Sequence, residues 1–348
     1  MKFAIRADAT PELGSGHVMR CLTLANALRA RKHTVQFVAS RLPAYLCETV
    51  TAQGHDVVTP ARTDEWTIPT QEWAGDAQER DAAAFLEAAP DAGWAICDHY
   101  GLGVTWERRL REAGRQVLAI DDLGRAHDCD VLLDQNYYAD PAARYAGNAA
   151  AEMLLGPRYA LLRPEFAEAR KDVQPRRGAV RRILVCMGGA DAGNRTSVAM
   201  DAIEMSGPVD IAVDIVIGKE HPARAAIAAR CEARPHWQLH VQTGRMGTLL
   251  AAADLAIGAG GSATWERCAL GVPTLALELA ENQRVILQEG ARAGFLMAVD
   301  GAIDAAHLAS DLRTLARDEE QRRRMSDVAM GITDGLGASR VAAFLETA

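Results

Sequence analysis

The sequence predicts an α/β protein with two doubly wound, Rossmann-like domains that face each other across a cleft. Short apolar runs alternate with amphipathic helical segments over most of the 348 residues, which is typical of parallel sheets covered by helices on both faces. The alternation breaks in a charged, proline-containing stretch and then restarts. We therefore predict an N-terminal domain over 1–163, a linker over 164–180 and a C-terminal domain over 181–348, each long enough for its own core.

The N-terminal half begins with the strand "KFAIRAD" and the helix "GHVMRCLTLANALRARK", in which Val18, Leu22, Ala25 and Leu28 form one apolar stripe. The same reasoning predicts further strands over 34–40, 55–60, 93–99, 116–122 and 130–136. It predicts further helices over 46–54, 82–89 and 105–114.

The C-terminal half repeats the alternation after the linker, starting with the strand "RILVCMGG". Strands are predicted over 182–189, 210–218, 237–243, 254–260 and 272–279. Helices are predicted over 194–206, 222–233, 246–253, 262–271 and 282–294, followed by a polar helical tail. Ligands of doubly wound sheets bind beyond the carboxyl ends of the strands, so the loops that follow strands are the expected places for chemistry.

Composition argues against several classes of protein. The net charge is −8 and no basic stripe is present, so no nucleic-acid partner is expected. No signal peptide and no run of eighteen apolar residues is found, so we expect a cytoplasmic protein with no membrane partner. The seven cysteines are odd in number and include no C-x-x-C motif, which favours reduced thiols. The sequence contains no coiled-coil pattern that would indicate an obligate oligomer, and we expect a monomer.

The stretch "GSGHVMR" follows the first strand and resembles the start of a dinucleotide-binding loop. Gly14 and Gly16 fit that fingerprint, but Met19 stands at the third glycine position, and the second strand ends without the acidic residue that contacts ribose. His17 lies in the first turn of the helix, where the helix dipole disfavours the imidazolium form. A neutral imidazole is suited to act as a general base; a capping or hydrogen-bonding histidine is the equally weighted alternative.

A second glycine turn, "IGAGGSATWERCALG", follows the strand over 254–260. Gly260 and Gly261 turn the chain, Ser262 caps the next helix, and backbone N–H groups at such a turn bind phosphate. Glu266 lies on the same helical face as Ser262, from where it could contact the hydroxyls of a ribose. A nucleotide diphosphate site is favoured over a simple glycine turn with a surface glutamate.

Polar residues also follow three other predicted strands. Glu281, Asn282 and Gln283 come after the strand over 272–279 and are plausible contacts to sugar or phosphate. "ICDHYG" (96–101) and "AIDDLG" (119–124) place Asp98, His99, Tyr100, Asp121 and Asp122 at the sheet edge. Paired aspartates of this kind act as general acid and base in glycosidases, or they bind a metal ion. The sequence spacings typical of metal ligands are absent. We favour contacts to a sugar and predict no metal and no cofactor.

These motifs together resemble those of the bacterial UDP-2,4-diacetamido-2,4,6-trideoxy-β-L-altropyranose hydrolases of pseudaminic acid biosynthesis, which are similar to the MurG-like GT-B glycosyltransferases. The matching stretches span most of the chain. Those over 5–25 and 154–166 are the most specific, whereas the turn near 260 is shared by many GT-B enzymes. Residues 63–81 match no fixed pattern, and we assign them no role. The stretches are 5–25, 97–102, 120–136, 154–166, 186–194, 258–273 and 281–283.

The resemblance implies a GT-B fold and metal-independent hydrolysis of a UDP-sugar at the anomeric carbon, with inversion and release of UDP. It implies that His17 is the base and that Tyr100 and Asn282 contact the sugar. A GT-B glycosyltransferase, a hydrolysing UDP-sugar 2-epimerase and a non-catalytic nucleotide-sugar sensor remain as alternatives. The full set of predicted substrate contacts is Arg6, Gly14, Gly16, Arg20, Tyr100, Asp121, Gly260, Gly261, Ser262, Glu266, Asn282 and Gln283.

Overall fold

The computed structural model describes residues 1–10, 13–60, 72–147, 152–189, 191–206, 210–301 and 303–348. It divides into two compact units: unit 1 contains residues 1–162 and 336–348, and unit 2 contains residues 163–335. Of the segment 63–81, only 72–81 lies within the described residues. The matching stretches 5–25 and 186–194 likewise extend over positions outside them, at 11–12 and 190.

Unit 1 contains a parallel seven-stranded sheet in the order β3-β2-β1-β4-β5-β6-β7. The order reverses between β1 and β4, so the loops after these two strands lie side by side at the switch point where such sheets bind ligands. Ala7, the last residue of β1, pairs with Asp98, the last residue of β4. The strands are β1 (Lys2–Ala7), β2 (Thr34–Val38), β3 (Asp56–Val58), β4 (Trp94–Asp98), β5 (Gln116–Ile120), β6 (Val131–Asp134) and β7 (Glu152–Leu155).

The helices of unit 1 cover its sheet with apolar faces. In the first helix, Val18, Leu22, Ala25 and Leu28 are buried, as the apolar stripe predicts. They pack in one core with apolar residues of β1 and β2. The α-helices among the described residues of 1–162 are α1 (Gly16–Ala30), α2 (Ala44–Ala52), α3 (Gly75–Ala88), α4 (Val104–Glu112) and the short α5 (Pro141–Arg144).

Unit 2 contains a second parallel sheet, in the order β10-β9-β8-β11-β12-β13. Its order reverses between β8 and β11, so the glycine turn after β11 lies at the second switch point. The strands are β8 (Arg182–Cys186), β9 (Ala212–Ile217), β10 (Trp237–Val241), β11 (Leu255–Ala259), β12 (Thr274–Leu277) and β13 (Met297–Ala298). The helices are α6 (Pro164–Arg170), α7 (Arg195–Ser206), α8 (Arg224–Glu232), α9 (Met246–Ala252), α10 (Ala263–Ala269), α11 (Arg284–Ala293), α12 (Ala305–Arg317) and α13 (Glu319–Ile332).

The predicted fold class is confirmed, but two features of the domain division differ from the sequence interpretation. Residues 164–180, interpreted as a linker, include α6 and belong to unit 2. Residues 336–348, assigned to the C-terminal domain, form α14 (Gly337–Leu345), which packs on α1 within unit 1. Helix α14 buries Val341, Ala342 and Leu345 in the core of unit 1; periodicity shows that such a face exists but not what covers it.

One segment, Glu319–Leu345, is long and apolar enough to cross a membrane, with a mean hydropathy of 1.2. Core helices of globular units satisfy the same criterion. Here the segment is divided into α13 and α14, and part of it is buried inside the protein. Packing therefore accounts for part of the apolar residues of this segment.

Candidate active site

His17 and Asp98 form a hydrogen-bonded pair at the switch point of unit 1. His17 is the second residue of α1, Asp98 ends β4, and the Nδ1 atom of His17 lies 2.6 Å from Oδ1 of Asp98. The Asp98 side chain is 1% exposed, whereas that of His17 is 11% exposed. An ionised carboxylate only accepts hydrogen bonds, so Nδ1 carries the proton and Nε2 of the neutral ring keeps its lone pair.

Arg20 fixes the Asp98 carboxylate from the other side. Its Nε and Nη2 atoms each lie 2.6 Å from an oxygen of Asp98, in a two-pronged ion pair. Burial alone would raise the pKa of Asp98, but the charge of Arg20, together with His17, outweighs it and holds this pKa well below its usual range. Asp98 is therefore an anion at neutral pH, and it fixes the orientation of the imidazole.

Tyr100 and Asp122 complete the surroundings of His17. The Tyr100 ring meets the imidazole edge-on, with ring centroids 4.7 Å apart. The Tyr100 hydroxyl donates to Oδ2 of Asp122 over 3.3 Å, and Nη1 of Arg20 lies 3.4 Å from the same oxygen. Burial, with the charge of Asp122 adding to it, raises the pKa of Tyr100 well above its usual value. Tyr100 is therefore a neutral hydrogen-bond donor beside His17.

The two glycines of the "GSGH" turn have different roles. Gly14 has a φ of 72°, which a side chain rarely adopts, and its N–H donates to Thr10 O over 2.8 Å. Gly16 is exposed and begins α1. Neither it nor His17 donates its backbone N–H to another of the described residues. A substrate contact through a backbone donor therefore stays a prediction for Gly16, whereas Gly14 uses its own donor to shape the turn.

Arg6 and Asp121, both predicted to contact substrate, lie inside unit 1. The Arg6 side chain is 0% exposed and is paired with Asp8 and Asp81. Asp121 is equally buried and accepts hydrogen bonds from the N–H groups of Leu123, Gly124 and Arg125. Both residues hold loops at the sheet edge, so contact of either with substrate is a prediction that this placement does not support.

Asp121 also belongs to a buried network that shares a proton. The Tyr145 hydroxyl lies 2.8 Å from Asp134 Oδ2 and 3.0 Å from Asp121 Oδ2, and it has one hydrogen to donate. Burial raises the pKa of Asp134 to about 7, and the charges of Asp122 and Asp121 add to the shift. For Asp121, hydrogen bonding and charge from His127 and Arg125 outweigh burial and keep the pKa well below its usual range. Asp134 is therefore the member that holds a proton below neutral pH.

This network predicts a measurable pH dependence of stability. Folded Asp134 keeps a proton that the unfolded chain releases above pH 4, so its contribution to the free energy of unfolding falls as pH rises from about 4 to about 7, by at most about 1.4 kcal/mol per pH unit. We expect Asp134→Asn to flatten the pH profile in this interval, measured by urea unfolding. Identical slopes for the variant and the wild type would show that Asp134 is ionised throughout.

The glycine turn after β11 in unit 2 presents backbone donors. The N–H groups of Gly261, Ser262 and Ala263 have no hydrogen-bond acceptor among the described residues. Ser262 is exposed at the N-cap position, and contrary to prediction its side chain makes no capping bond. Three backbone donors and one hydroxyl donor are therefore available at this turn, which is the arrangement that binds phosphate oxygens.

Gly260 contributes space rather than a donor to this turn. Its N–H is already bonded to Leu277 O at 3.0 Å. A Cβ at Gly260 would lie 2.7 Å from the buried Leu287 side chain, whereas a Cβ at Gly261 would meet Gln283 Nε2 at an ordinary 3.5 Å. The sequence correctly indicated a tight turn here, and the backbone donors without an acceptor among the described residues begin at Gly261.

The two glycines provide a matched pair of substitutions. Gly260→Ala overpacks Leu287, so we expect the free energy of unfolding to fall by about 1–3 kcal/mol. Gly261→Ala meets no such clash and should change stability by less than about 1 kcal/mol. Urea unfolding of both variants checks this difference. Equal losses in the free energy of unfolding would show that the Leu287 side chain moves aside without cost.

Glu266 lies in the first turn of α10 with a partly exposed side chain. Burial raises the pKa of its carboxyl to about 7, while the charges of Arg163 and Arg267 oppose the shift. No hydrogen bond to Glu266 is found among the described residues. The carboxyl group is thus available to hydroxyl donors of a ligand, in agreement with the ribose contact that we predict for it.

Gln283 and Asn282 form a 3₁₀ turn with Glu281 immediately before α11. Gln283 Oε1 accepts a hydrogen bond from Leu279 N–H at 2.9 Å, which closes the loop after β12. Its Nε2 atom is the group near Gly261, so the structure brings Gln283 and the glycine turn together. Asn282 is exposed, and its contact with the sugar stays a prediction.

Sequence reasoning placed Asp98 at the sheet edge but missed that it orients His17. The available signal was the strand order: in a doubly wound sheet the fourth strand pairs with the first, so the residue that ends β4 adjoins the loop after β1. Among the described residues, no group of three His, Cys, Asp or Glu side chains has metal-binding geometry.

Comparison with known proteins confirms the resemblance. No model of a protein family matches the chain. The chain is 29% identical over 197 residues to the UDP-2,4-diacetamido-2,4,6-trideoxy-β-L-altropyranose hydrolase of Campylobacter jejuni, a match that covers 56% of this chain and 62% of that protein. It is 24% identical over 286 residues to the spore coat polysaccharide biosynthesis protein SpsG of Bacillus subtilis, covering 81% and 79%.

Solved structures show the same fold. The UDP-GlcNAc 2-epimerase of Neisseria meningitidis, determined with UDP-GlcNAc bound, superimposes with a TM-score of 0.67 and 10% identity over the full length of both chains. Glycosyltransferases are also among the structures that share the fold. At such low identity the likeness shows the fold alone, and this chain has the two-domain GT-B fold.

Proposed function

We propose that this GT-B-fold protein is an enzyme acting on UDP-linked sugars, and that it hydrolyses a UDP-2,4-diacetamido-2,4,6-trideoxyhexose of the altropyranose type. The products are UDP and the free sugar with inverted anomeric configuration, a step of pseudaminic acid biosynthesis. The observation that carries the proposal is the His17–Asp98 pair, in which a 2.6 Å hydrogen bond at Nδ1 leaves Nε2 available as a base. The sequence similarity to the Campylobacter jejuni hydrolase supports the substrate class.

His17 activates the attacking water in this mechanism. Nε2 takes a proton from water while the water oxygen bonds to the anomeric carbon, and the bond between that carbon and the phosphate oxygen breaks. Positive charge then develops on the imidazole, and the ionised Asp98 stabilises it across the Nδ1 hydrogen bond. Attack from the face opposite to the leaving group inverts the configuration at this carbon.

The leaving group is UDP, whose phosphate oxygens are weakly basic, so its departure needs no proton from a general acid. The N–H groups of Gly261, Ser262 and Ala263 stabilise the charge that grows on the diphosphate. Glu266 accepts hydrogen bonds from the ribose. The proposal thus assigns the nucleotide to unit 2 and the attack on the sugar to unit 1.

A glycosyltransferase is the second candidate. Polysaccharide biosynthesis joins sugars to one another, and the match to the spore coat polysaccharide biosynthesis protein extends over a larger share of the chain than the match to the hydrolase. It would use the same donor site with an acceptor hydroxyl in place of water. A hydrolysing 2-epimerase would instead yield a sugar with altered configuration at C2.

The test is incubation of the protein with the UDP-altropyranose in the presence of EDTA and without acceptor. We expect UDP and the unaltered 2,4-diacetamido sugar to accumulate together. Chromatography and NMR spectroscopy measure these products. No UDP above the enzyme-free control would contradict hydrolysis and favour a transferase, and a sugar changed at C2 would identify an epimerase.

A further inference from the structure

Asp122 differs from Asp98 and Asp121 in the hydrogen bonds that its carboxylate oxygens accept. Oδ2 receives two long contacts, 3.3 Å from the Tyr100 hydroxyl and 3.4 Å from Arg20 Nη1. Oδ1 is buried and has no hydrogen-bond partner among the described residues. By contrast, Asp98 is held at 2.6 Å on both oxygens, and Asp121 is occupied by backbone donors.

A buried carboxylate oxygen without a donor costs free energy, and native structures rarely leave one unpaired without a functional reason. The Asp122 side chain as a whole remains 13% exposed although Oδ1 itself is buried, so an incoming donor approaches through the exposed part of the side chain. A phosphate is disfavoured there because both groups are anions. A neutral N–H or O–H donor is the chemical partner that fits.

We propose that Asp122 is a specificity-determining residue, which accepts a hydrogen bond from an N–H or O–H donor of the hexose. The inference rests on the proposed function for the identity of the ligand. Its position supports the hexose, because Asp122 contacts Tyr100, whose ring packs against the base that acts on the anomeric carbon. The hexose named above offers two acetamido N–H groups and one free hydroxyl as donors.

Binding can be measured without turnover in a His17→Ala background, by calorimetry with UDP and with the intact UDP-sugar. We expect Asp122→Ala to weaken binding of the UDP-sugar about 10- to 100-fold, the loss typical of a hydrogen bond to a charged group. Binding of UDP should change less than twofold. Equal losses for the two ligands would overturn the proposal, because they would indicate a general distortion.

Tyr100→Phe distinguishes direct contact from a purely structural role of Asp122. This variant removes the Tyr100–Asp122 hydrogen bond and keeps the carboxylate. If Asp122 binds the sugar, the double variant binds the UDP-sugar more weakly than Tyr100→Phe alone. A double variant no weaker than Tyr100→Phe would show that Asp122 acts only by holding the tyrosine.

Substrate analogues identify the donor. We compare a 3-deoxy analogue with analogues in which one acetamido N–H is replaced by an ester oxygen. The analogue whose binding no longer responds to Asp122→Ala lacks the donor that Asp122 accepts, and undiminished sensitivity of all of them would contradict the assignment. If the wild type fails to hydrolyse the sugar but this binding pattern holds, the proposed function falls and the Asp122 contact stands.

Discussion

His17→Ala is expected to lower the turnover number for UDP-sugar hydrolysis by about 10²- to 10⁴-fold, the usual contribution of a positioned general base. The ring lies at the start of α1 with its Nδ1 proton held by Asp98, so the variant loses the Nε2 atom that is proposed to accept the proton of water. The dissociation constant of UDP should stay within about twofold, because UDP is assigned to residues of unit 2. Steady-state kinetics and calorimetry measure the two effects separately.

The matched control is His307→Ala. His307 is exposed on α12 of unit 2 and lies 3.5 Å from Asp311, so its removal should leave turnover unchanged. Asp98 keeps its two-pronged pair with Arg20 in the His17 variant, and the fold should persist, as thermal unfolding can verify. A His17→Ala protein that hydrolyses the sugar at the wild-type rate would remove His17 from the mechanism.

Asp98→Asn is expected to reduce turnover by a similar order, about 10²- to 10⁴-fold, without a comparable loss of UDP binding. The amide carries no charge to stabilise the imidazolium, and its NH₂ group favours the wrong tautomer of His17. Raising the pH should not restore the rate. Removing one partner of a buried ion pair also lowers the free energy of unfolding, by about 3–5 kcal/mol, because Arg20 loses its two-pronged partner and, among the described carboxylates, keeps only the 3.4 Å contact with Asp122.

Asp91→Asn is the control for this substitution. Asp91 pairs with Lys2 at 2.9 Å, but both side chains are largely exposed, and such surface pairs contribute about 1 kcal/mol or less. Its turnover and stability should match those of the wild type. If Asp98→Asn kept full turnover while only its stability fell, Asp98 would be a structural anion without a part in orienting the base.

The sequence was sufficient to predict most of the fold because each unit is built from local patterns. The apolar stripe of α1 and the alternation after 181 both derive from neighbouring residues, and the structure confirms them. Helix α14 could not be placed in this way, since its partner α1 lies at the other end of the chain. The same limit applies to α6, whose charged, proline-flanked sequence resembles a linker.

The sequence was sufficient to predict the two motifs of the candidate site, but not the side-chain contacts that join its residues. A histidine in the first turn after β1 and a glycine turn after β11 are visible as motifs, and the structure places both at switch points. The pairing of His17 with Asp98 joins positions 81 residues apart and depends on strand order. The distinction between the buried Asp121 and the partly exposed Asp122 depends on side-chain packing, which no spacing in the sequence reveals.

The central claim is that water attacks the anomeric carbon, and hydrolysis in ¹⁸O-labelled water tests it most directly. The products of a single turnover are analysed by mass spectrometry. The mechanism predicts one ¹⁸O atom in the released sugar, at the anomeric position, and none in UDP. Label found in UDP would show attack at phosphorus and would contradict the mechanism.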